Sequence, residues 1–143
     1  MANMDMVQLR ADIKLDEGTV LHAYQDDLGY WTIGSGILID KREGGGITEG
    51  ENDFLLDNRL TKTINDLDDN IPWIATKSDG VQRAVINMAY NMGVPRLLGF
   101  RDMLAAIKSD DYAEAARQAQ NSKWDHEVSK DRVERIVSLL SAG

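Results

Sequence analysis

Two carboxylates and a hydroxyl lie close together near the start of the sequence, in the segment LDEGTVLHAYQDDLGYWTIGSG, residues 15–36. Glu17 stands at the predicted end of a helix, Asp26 precedes a turn signal, and Thr32 lies in an aromatic, strand-like run. Glycosidic bond hydrolysis requires two carboxyl groups, an acid for the leaving oxygen and a base or nucleophile on the other face of the sugar. The Thr32 hydroxyl could position a water beside Asp26. The segment is therefore the first candidate for a catalytic site.

The position of Glu17 is electrostatically unusual. Asp16 and Glu17 both fall in the last turn of the predicted first helix, where the negative end of the helix dipole disfavours anions. A carboxylate there loses stability unless a cation compensates it, and the same field favours the neutral form that a general acid needs. The alternative interpretations are an ordinary solvent-facing residue for Glu17, turn formation for Asp26 and strand propensity for Thr32.

Other kinds of chemistry have weaker support in the sequence. The run Gly34–Ile37 contains a serine between glycines but lacks the Gly-x-Ser-x-Gly order of a nucleophile elbow. The chain has no cysteine and only two histidines, far apart, so we expect neither a metal site nor any cofactor. Three tryptophans could stack on sugar rings or belong to the core: Trp31, Trp73 and Trp124.

Composition restricts the class of protein. A chain of 143 residues that is 43% hydrophobic and 28% charged suits a single domain, residues 1–143. The net charge of −8 argues against nucleic acid as a partner, because phosphates require a basic face. No apolar run approaches the ~20 residues of a membrane-spanning helix, so we expect no stable membrane insertion. The N-terminal residues do not resemble a signal peptide.

Hydrophobic spacing and turn signals predict the elements that must position the candidate residues. A first helix ends at Gly18, and a small hairpin or meander follows between Val20 and Ile39. Thr48 and Glu51 form a capping box that starts a second helix, which ends before Pro72.

The remaining sequence is helical in character. Ser78 or Asp79 caps the strongest helix, which Gly93 and Pro95 stop, and three shorter helices follow. Together, these predicted helices and strands indicate an α+β fold, mostly α, with five or six helices. We expect a small N-terminal β-containing lobe (about residues 1–66), a larger C-terminal helical lobe (about 67–143) and a cleft between them.

The spacing of these residues resembles the signature of the phage-type lysozymes, the bacteriophage endolysins of glycoside hydrolase family 24. The resemblance begins with Glu17-Gly18, Tyr24-x-Asp26, Gly29 and Trp31-Thr32-Ile33-Gly34-x-Gly36, and continues through Ile47-Thr48, Ala89-Tyr90-Asn91-Met92-Gly93, Phe100, Ser122-Lys123-Trp124, Asp131-Arg132 and Arg135-Ile136. It spans most of the chain in the right order. One departure is Ile37, which stands where many family members have a histidine.

The resemblance implies a lysozyme-like fold and a role for each matched residue. Glu17 would be the general acid, Asp26 the base that activates water, and Thr32 a group that holds that water, in an inverting reaction. Arg132 matches an arginine that pairs with the catalytic glutamate, and Asn91 and Trp124 match positions near the substrate cleft.

The implied substrate is the peptidoglycan glycan strand, cut at its N-acetylmuramic acid to N-acetylglucosamine β-1,4 bond. The implied protein is a monomer in the host cytoplasm, released to the wall or periplasm through a membrane hole made by a separate holin. Three alternatives stay open: a lytic transglycosylase, an inactive peptidoglycan-binding module of the same fold, and delivery by another route, such as from a prophage remnant or as toxin cargo.

Overall fold

The computed structural model describes residues 3–143, which form seven α-helices and one three-stranded antiparallel sheet. The elements in chain order are α1 (Met6–Glu17), β1 (Val20–Gln25), β2 (Trp31–Gly34), β3 (Ile37–Leu38), α2 (Glu49–Asn70), α3 (Asp79–Met92), α4 (Val94–Leu98), α5 (Arg101–Lys108), α6 (Tyr112–Gln120) and α7 (Lys130–Ala142). Short 3₁₀ segments occur at Pro72–Thr76 and Lys123–His126. The predicted fold class, α+β and mostly α, is confirmed.

The chain divides into two compact units, Met1–Asp53 and Phe54–Gly143. The first unit contains α1, the sheet and the first residues of α2, and the second contains the rest of α2 and all later helices. The predicted lobe limits, about 1–66 and 67–143, also meet inside α2, and they stay a prediction, as does the cleft.

Local signals define the limits of α1. The Asp5 carboxylate caps its first turn by accepting hydrogen bonds from the backbone N–H groups of Val7 (2.9 Å) and Gln8 (3.0 Å). Gly18 ends the helix at φ +74°, and its N–H donates to the Lys14 carbonyl at 3.0 Å. Glu17 is therefore the last helical residue, as the sequence predicts.

The sheet is a small meander in strand order β1-β2-β3. Thr32, in the central strand, lies opposite Tyr24 of β1 and Leu38 of β3. Between residues 3 and 53, Thr32 is the only buried residue, with 4% of its surface exposed. All buried hydrophobic side chains of the described chain lie between Leu67 and Leu140. Hydrogen bonds, not a buried apolar cluster of its own, therefore define the geometry of the first unit.

The predicted capping box at the start of α2 is confirmed. The Thr48 N–H donates to Glu51 Oε2 at 2.7 Å, and the Glu51 N–H donates to Thr48 Oγ1 at 3.2 Å. Two hydrogen bonds lower the pKa of the Glu51 carboxyl: the one from the Thr48 backbone N–H has the larger effect, and the one from the Thr48 hydroxyl has the smaller effect.

The core of the second unit is built on α3. Ser78 caps this helix, with the Val81 N–H donating to its hydroxyl at 3.3 Å. Five residues of α3 are buried in the core: Val81, Ala84, Val85, Met88 and Ala89. Gly93, at φ +89°, ends α3 as predicted.

The predicted count of five or six helices is wrong, because residues 3–143 contain seven. The additional helix is α4, which begins at Val94 immediately after Gly93. Pro95 lies in its first turn, where a backbone N–H would have no acceptor within the helix, so its absence in proline costs no hydrogen bond. The proline that stops α3 thus also favours the start of the next helix.

A polar contact ties the segment before α3 to the turn between α5 and α6. Lys77 Nζ donates to Asp110 Oδ1 at 2.6 Å and to the Lys108 carbonyl at 3.1 Å, and the Tyr112 hydroxyl donates to Asp110 Oδ1 at 2.8 Å. The hydrogen bond from Lys77 is the larger cause, and that from Tyr112 the smaller cause, of a lowered pKa of the Asp110 carboxyl. The hydrogen bond that the Tyr112 hydroxyl donates to Asp110 also raises the pKa of Tyr112. Asp110 itself has φ +62°, a conformation that asparagine also tolerates.

No helix within residues 3–143 combines the length and apolar character needed to cross a membrane.

The Asp110 contact predicts a defined pH dependence of stability. A lowered pKa in the folded state stabilises the protein above the unfolded-state value, near 3.8, and this stabilisation is lost as pH falls through the folded-state pKa. We expect Asp110→Asn to have a lower Tm than the parent at pH 7, and the difference to shrink below pH 3.8. Thermal unfolding measured across pH tests this, with Asp57→Asn, an exposed α2 position, as the control for charge. A Tm difference that stays constant down to pH 2 would contradict the assignment.

Candidate active site

The Glu17 carboxyl group lies directly against the turn between β2 and β3. A Cβ atom placed on Gly36 would stand 2.7 Å from Glu17 Oε2 and 2.9 Å from its Cδ, closer than real side chains allow. Gly36 also has φ +75°, a conformation that favours glycine. The last residue of α1 and the hairpin turn therefore meet so closely that a side chain at position 36 would displace the Glu17 carboxyl group.

The two oxygens of the Asp26 carboxylate have different surroundings. Oδ1 accepts hydrogen bonds from the backbone N–H groups of Leu28 and Tyr30, each at 2.9 Å. Within residues 3–53, Oδ2 accepts no hydrogen bond. The turn-forming and the catalytic interpretations of Asp26 are thus compatible, because one oxygen holds the turn and the other is available to a water.

The backbone of Tyr30 links Asp26 to Thr32. Its N–H donates to Asp26 Oδ1, while its carbonyl accepts the Asp26 N–H at 2.9 Å and the Thr32 hydroxyl at 3.1 Å. Since the Thr32 proton is directed at Tyr30, only the lone pairs of that hydroxyl are left for a water, as acceptors. If Thr32 holds a water, the water must donate to it.

The structure brings several of the predicted residues together within the first unit. Asp26 and Thr32 both bond to the backbone of Tyr30, and Glu17 lies beside the turn that follows β2. Ser35, in that turn, shares a 3.3 Å hydrogen bond with the Thr19 hydroxyl, which is a structural role rather than that of a nucleophile. Ile37 lies opposite Ile33 in the β2–β3 ladder and is half exposed.

Arg132, in the second unit, is held by a residue that the sequence did not indicate. Its Nε and Nη2 donate to Asn87 Oδ1 at 3.0 and 2.8 Å, and Nη2 also donates to the Asn87 carbonyl at 3.3 Å. Asn87 lies on α3 one turn before Asn91, and this spacing is the one sequence feature that could have indicated it. The predicted pairing of Arg132 with the catalytic glutamate stays a prediction.

Trp124 belongs to the core, which is one of the two roles that the sequence left open for the tryptophans, and its position near a substrate cleft stays a prediction. The Trp124 ring is fully buried in the core of the second unit, so it has no face to offer a sugar. Its Nε1 donates to Asn91 Oδ1 at 2.9 Å, which gives Asn91 a structural role in holding a core residue. Of the three tryptophans, Trp31 is the exposed one, at 48%.

Comparison with known proteins identifies a family. The sequence model of the family Phage lysozyme matches residues 14–138. Two Dictyostelium discoideum proteins, probable T4-type lysozyme 1 and probable T4-type lysozyme 2, are 30% and 29% identical to the chain over 158 and 161 aligned positions. These alignments cover 92% and 94% of this chain and the same shares of the two relatives.

A third relative is a phage spike protein by its name. The pre-baseplate central spike protein of Enterobacteria phage T4 is 28% identical over 166 aligned positions, which cover 99% of this chain and 28% of the spike protein.

The contact at Gly36 predicts the effect of adding a methyl group. We expect Gly36→Ala to push the Glu17 carboxyl aside and to lower the wall-clearing rate that the resemblance predicts by about tenfold or more, because small displacements of catalytic groups are costly. Gly44→Ala is the matched control, since Gly44 has φ +81° but open space around its Cβ direction. The measurement is the initial rate of clearing of purified cell wall, together with Tm. Equal rates for the two variants would contradict the proposed contact.

Proposed function

Because the chain belongs to the phage lysozyme family and is a lysozyme-type peptidoglycan hydrolase, we propose that it cuts the β-1,4 bond between N-acetylmuramic acid and N-acetylglucosamine. The observation that carries the proposal is the arrangement of Asp26, whose Oδ1 is engaged by the turn while the Tyr30 backbone joins the residue to the Thr32 hydroxyl. A carboxylate and a hydroxyl held in one hydrogen-bonded segment suit the activation of a water.

In the proposed mechanism, two carboxyl groups act on opposite faces of the sugar. Glu17, in its protonated form, gives its proton to the oxygen of the leaving sugar. Asp26 Oδ2 takes a proton from a water whose other hydrogen is directed at Thr32 Oγ1. The oxygen of that water attacks the anomeric carbon as the glycosidic bond breaks, so the configuration is inverted and no covalent sugar–enzyme intermediate forms.

We also propose that Arg132 supplies the cation that makes a carboxylate at the end of α1 tolerable. The support is the resemblance, which matches Arg132 to an arginine that pairs with the catalytic glutamate. Within the second unit, the bonds to Asn87 hold the planar guanidinium in one orientation.

The nearest alternative activity is that of a lytic transglycosylase, which uses one glutamate and leaves an anhydro-sugar end. The well-formed Asp26 turn favours hydrolysis, because the transglycosylase reaction needs no base for an attacking water. An inactive wall-binding module is the alternative of another class, and retention of Glu17, Asp26 and Thr32 argues against it.

For delivery, we propose that the enzyme accumulates as a monomer in the host cytoplasm and lyses the host wall after a separate holin opens the membrane. The runner-up is delivery by another route, such as from a prophage remnant or as toxin cargo. The match to a phage spike protein favours that second route, because the spike contains a similar segment within a much longer chain.

Substitution of the two carboxylates separates catalysis from folding. Asp26→Asn retains an oxygen for the Leu28 and Tyr30 N–H groups, so we expect a Tm near that of the parent with at least a 100-fold loss of wall hydrolysis. Asp26→Ala loses the turn as well, and we expect its free energy of unfolding to fall by about 1–2 kcal/mol. Glu17→Gln should be equally inactive, and Asp27→Asn is the neighbouring control. Parental activity in both Glu17→Gln and Asp26→Asn would refute the roles.

Product analysis tests the reaction itself. Inverting hydrolysis of the β-linked strand predicts reducing ends that are first released as the α-anomer, detectable by NMR before mutarotation. Mass spectrometry of the same digest distinguishes these hydrated ends from anhydro ends, which are lighter by one water. Initial release of the β-anomer would exclude inversion, and anhydro ends would establish the transglycosylase.

A further inference from the structure

A cation–aromatic contact lies beside the proposed catalytic base. The guanidinium carbon of Arg42 is 3.3 Å from the centroid of the Tyr30 ring, which is the stacking geometry that arginine favours. Tyr30 is half-buried and immediately precedes β2, whereas Arg42 is exposed in the loop after β3. The contact therefore joins the two sides of the β2–β3 hairpin.

The loop that presents Arg42 is itself held in place. The Arg42 N–H donates to Asp40 Oδ1 at 3.2 Å, and its carbonyl accepts the Gly45 N–H at 2.9 Å. Asp40 Oδ2 accepts the N–H of Trp31 at 3.4 Å, which ties the loop to β2. A side chain on Gly45 would collide with the Asp40 carbonyl oxygen, so the loop closes tightly. Arg42 thus extends from a fixed backbone.

On the other side of the contact, the backbone of Tyr30 holds the catalytic candidates. Its N–H and carbonyl take part in the bonds to Asp26 and Thr32 that define their positions. A ring pinned by a stacked guanidinium restricts the side-chain rotation of Tyr30, and rotamers are coupled to the backbone torsions of the same residue. Restricting the ring therefore also restricts the backbone of Tyr30, whose N–H orients the Asp26 carboxylate.

We propose that Arg42 is a positioning residue for Asp26, acting through Tyr30. This inference rests on the proposed function, since it assigns Arg42 a part in the orientation of the base. Arg42 contributes to turnover without touching the substrate, and Tyr30 contributes its ring rather than its hydroxyl. The competing role for an exposed arginine is direct binding of the carboxylates of the wall peptides.

Four variants test the proposal by their kinetics on purified wall. An exposed cation–aromatic contact corresponds to a two- to fivefold effect, so we expect Arg42→Ala to lower kcat by roughly that factor with KM unchanged. Arg42→Lys should restore part of the loss. Tyr30→Leu should lose as much as Arg42→Ala, whereas Tyr30→Phe, which keeps the ring, should lose less than Tyr30→Leu. Lys41→Ala, at an exposed residue of the same loop, controls for the loss of one positive charge.

The double variant gives the decisive result. If Arg42 acts through Tyr30, Arg42→Ala causes no further loss in the Tyr30→Leu background. A raised KM for Arg42→Ala, or an equal loss in both backgrounds, would establish direct substrate binding and overturn the proposal. Rates are measured well below each Tm, so that unfolding does not mimic the effect.

The controls also separate this inference from the proposed function. An inert parent enzyme would refute the function, whereas an active parent with an equally active Arg42→Ala variant would refute only the inference.

Discussion

The geometry of the candidate catalytic segment depends on the backbone of a single residue, Tyr30. Its N–H and its carbonyl take part in three hydrogen bonds to Asp26 and Thr32. Because these bonds are short and lie within a seven-residue stretch, the base and the residue proposed to hold the water cannot move independently. Backbone groups of Tyr30 make these hydrogen bonds, so the arrangement does not need the Tyr30 hydroxyl. The part of the side chain that matters is the ring, which stacks on Arg42.

This dependence on hydrogen bonds follows from how the two units are built. The second unit has a buried apolar core from Leu67 to Leu140, packed from helices with strong periodicity. Residues 3–53 contribute no buried hydrophobic side chain, and Thr32 is the one buried residue among them. In the first unit, caps, turns and the short ladder therefore have to specify positions that packing specifies elsewhere.

Elements governed by neighbours in the sequence could be predicted from it. The end of α1 at Gly18, the capping box of Thr48 and Glu51, and the start of α3 at Ser78 all depend on residues within four positions of each other. The family signature supplied the candidate residues but not their contacts.

Features that depend on distant contacts could not be read from the sequence. Burial of Trp124 depends on the packing of several helices, and the stacking of Arg42 on Tyr30 depends on how one loop closes. The partner of Arg132, Asn87, is 45 residues away in the chain. Helix α4 was missed for another reason, because Pro95 acts both as a stop signal and as a favourable first-turn residue.

The unequal use of the two Asp26 oxygens has a consequence for the evolution of this fold. An aspartate codon becomes an asparagine codon by a single base change, and the new amide oxygen can replace the one that holds the turn. On the proposed roles, the shape of this segment and its chemistry are therefore separable by the smallest possible genetic step. A descendant with asparagine at position 26 could therefore bind the wall without hydrolysing it, and its evolution would not pass through a variant that fails to fold.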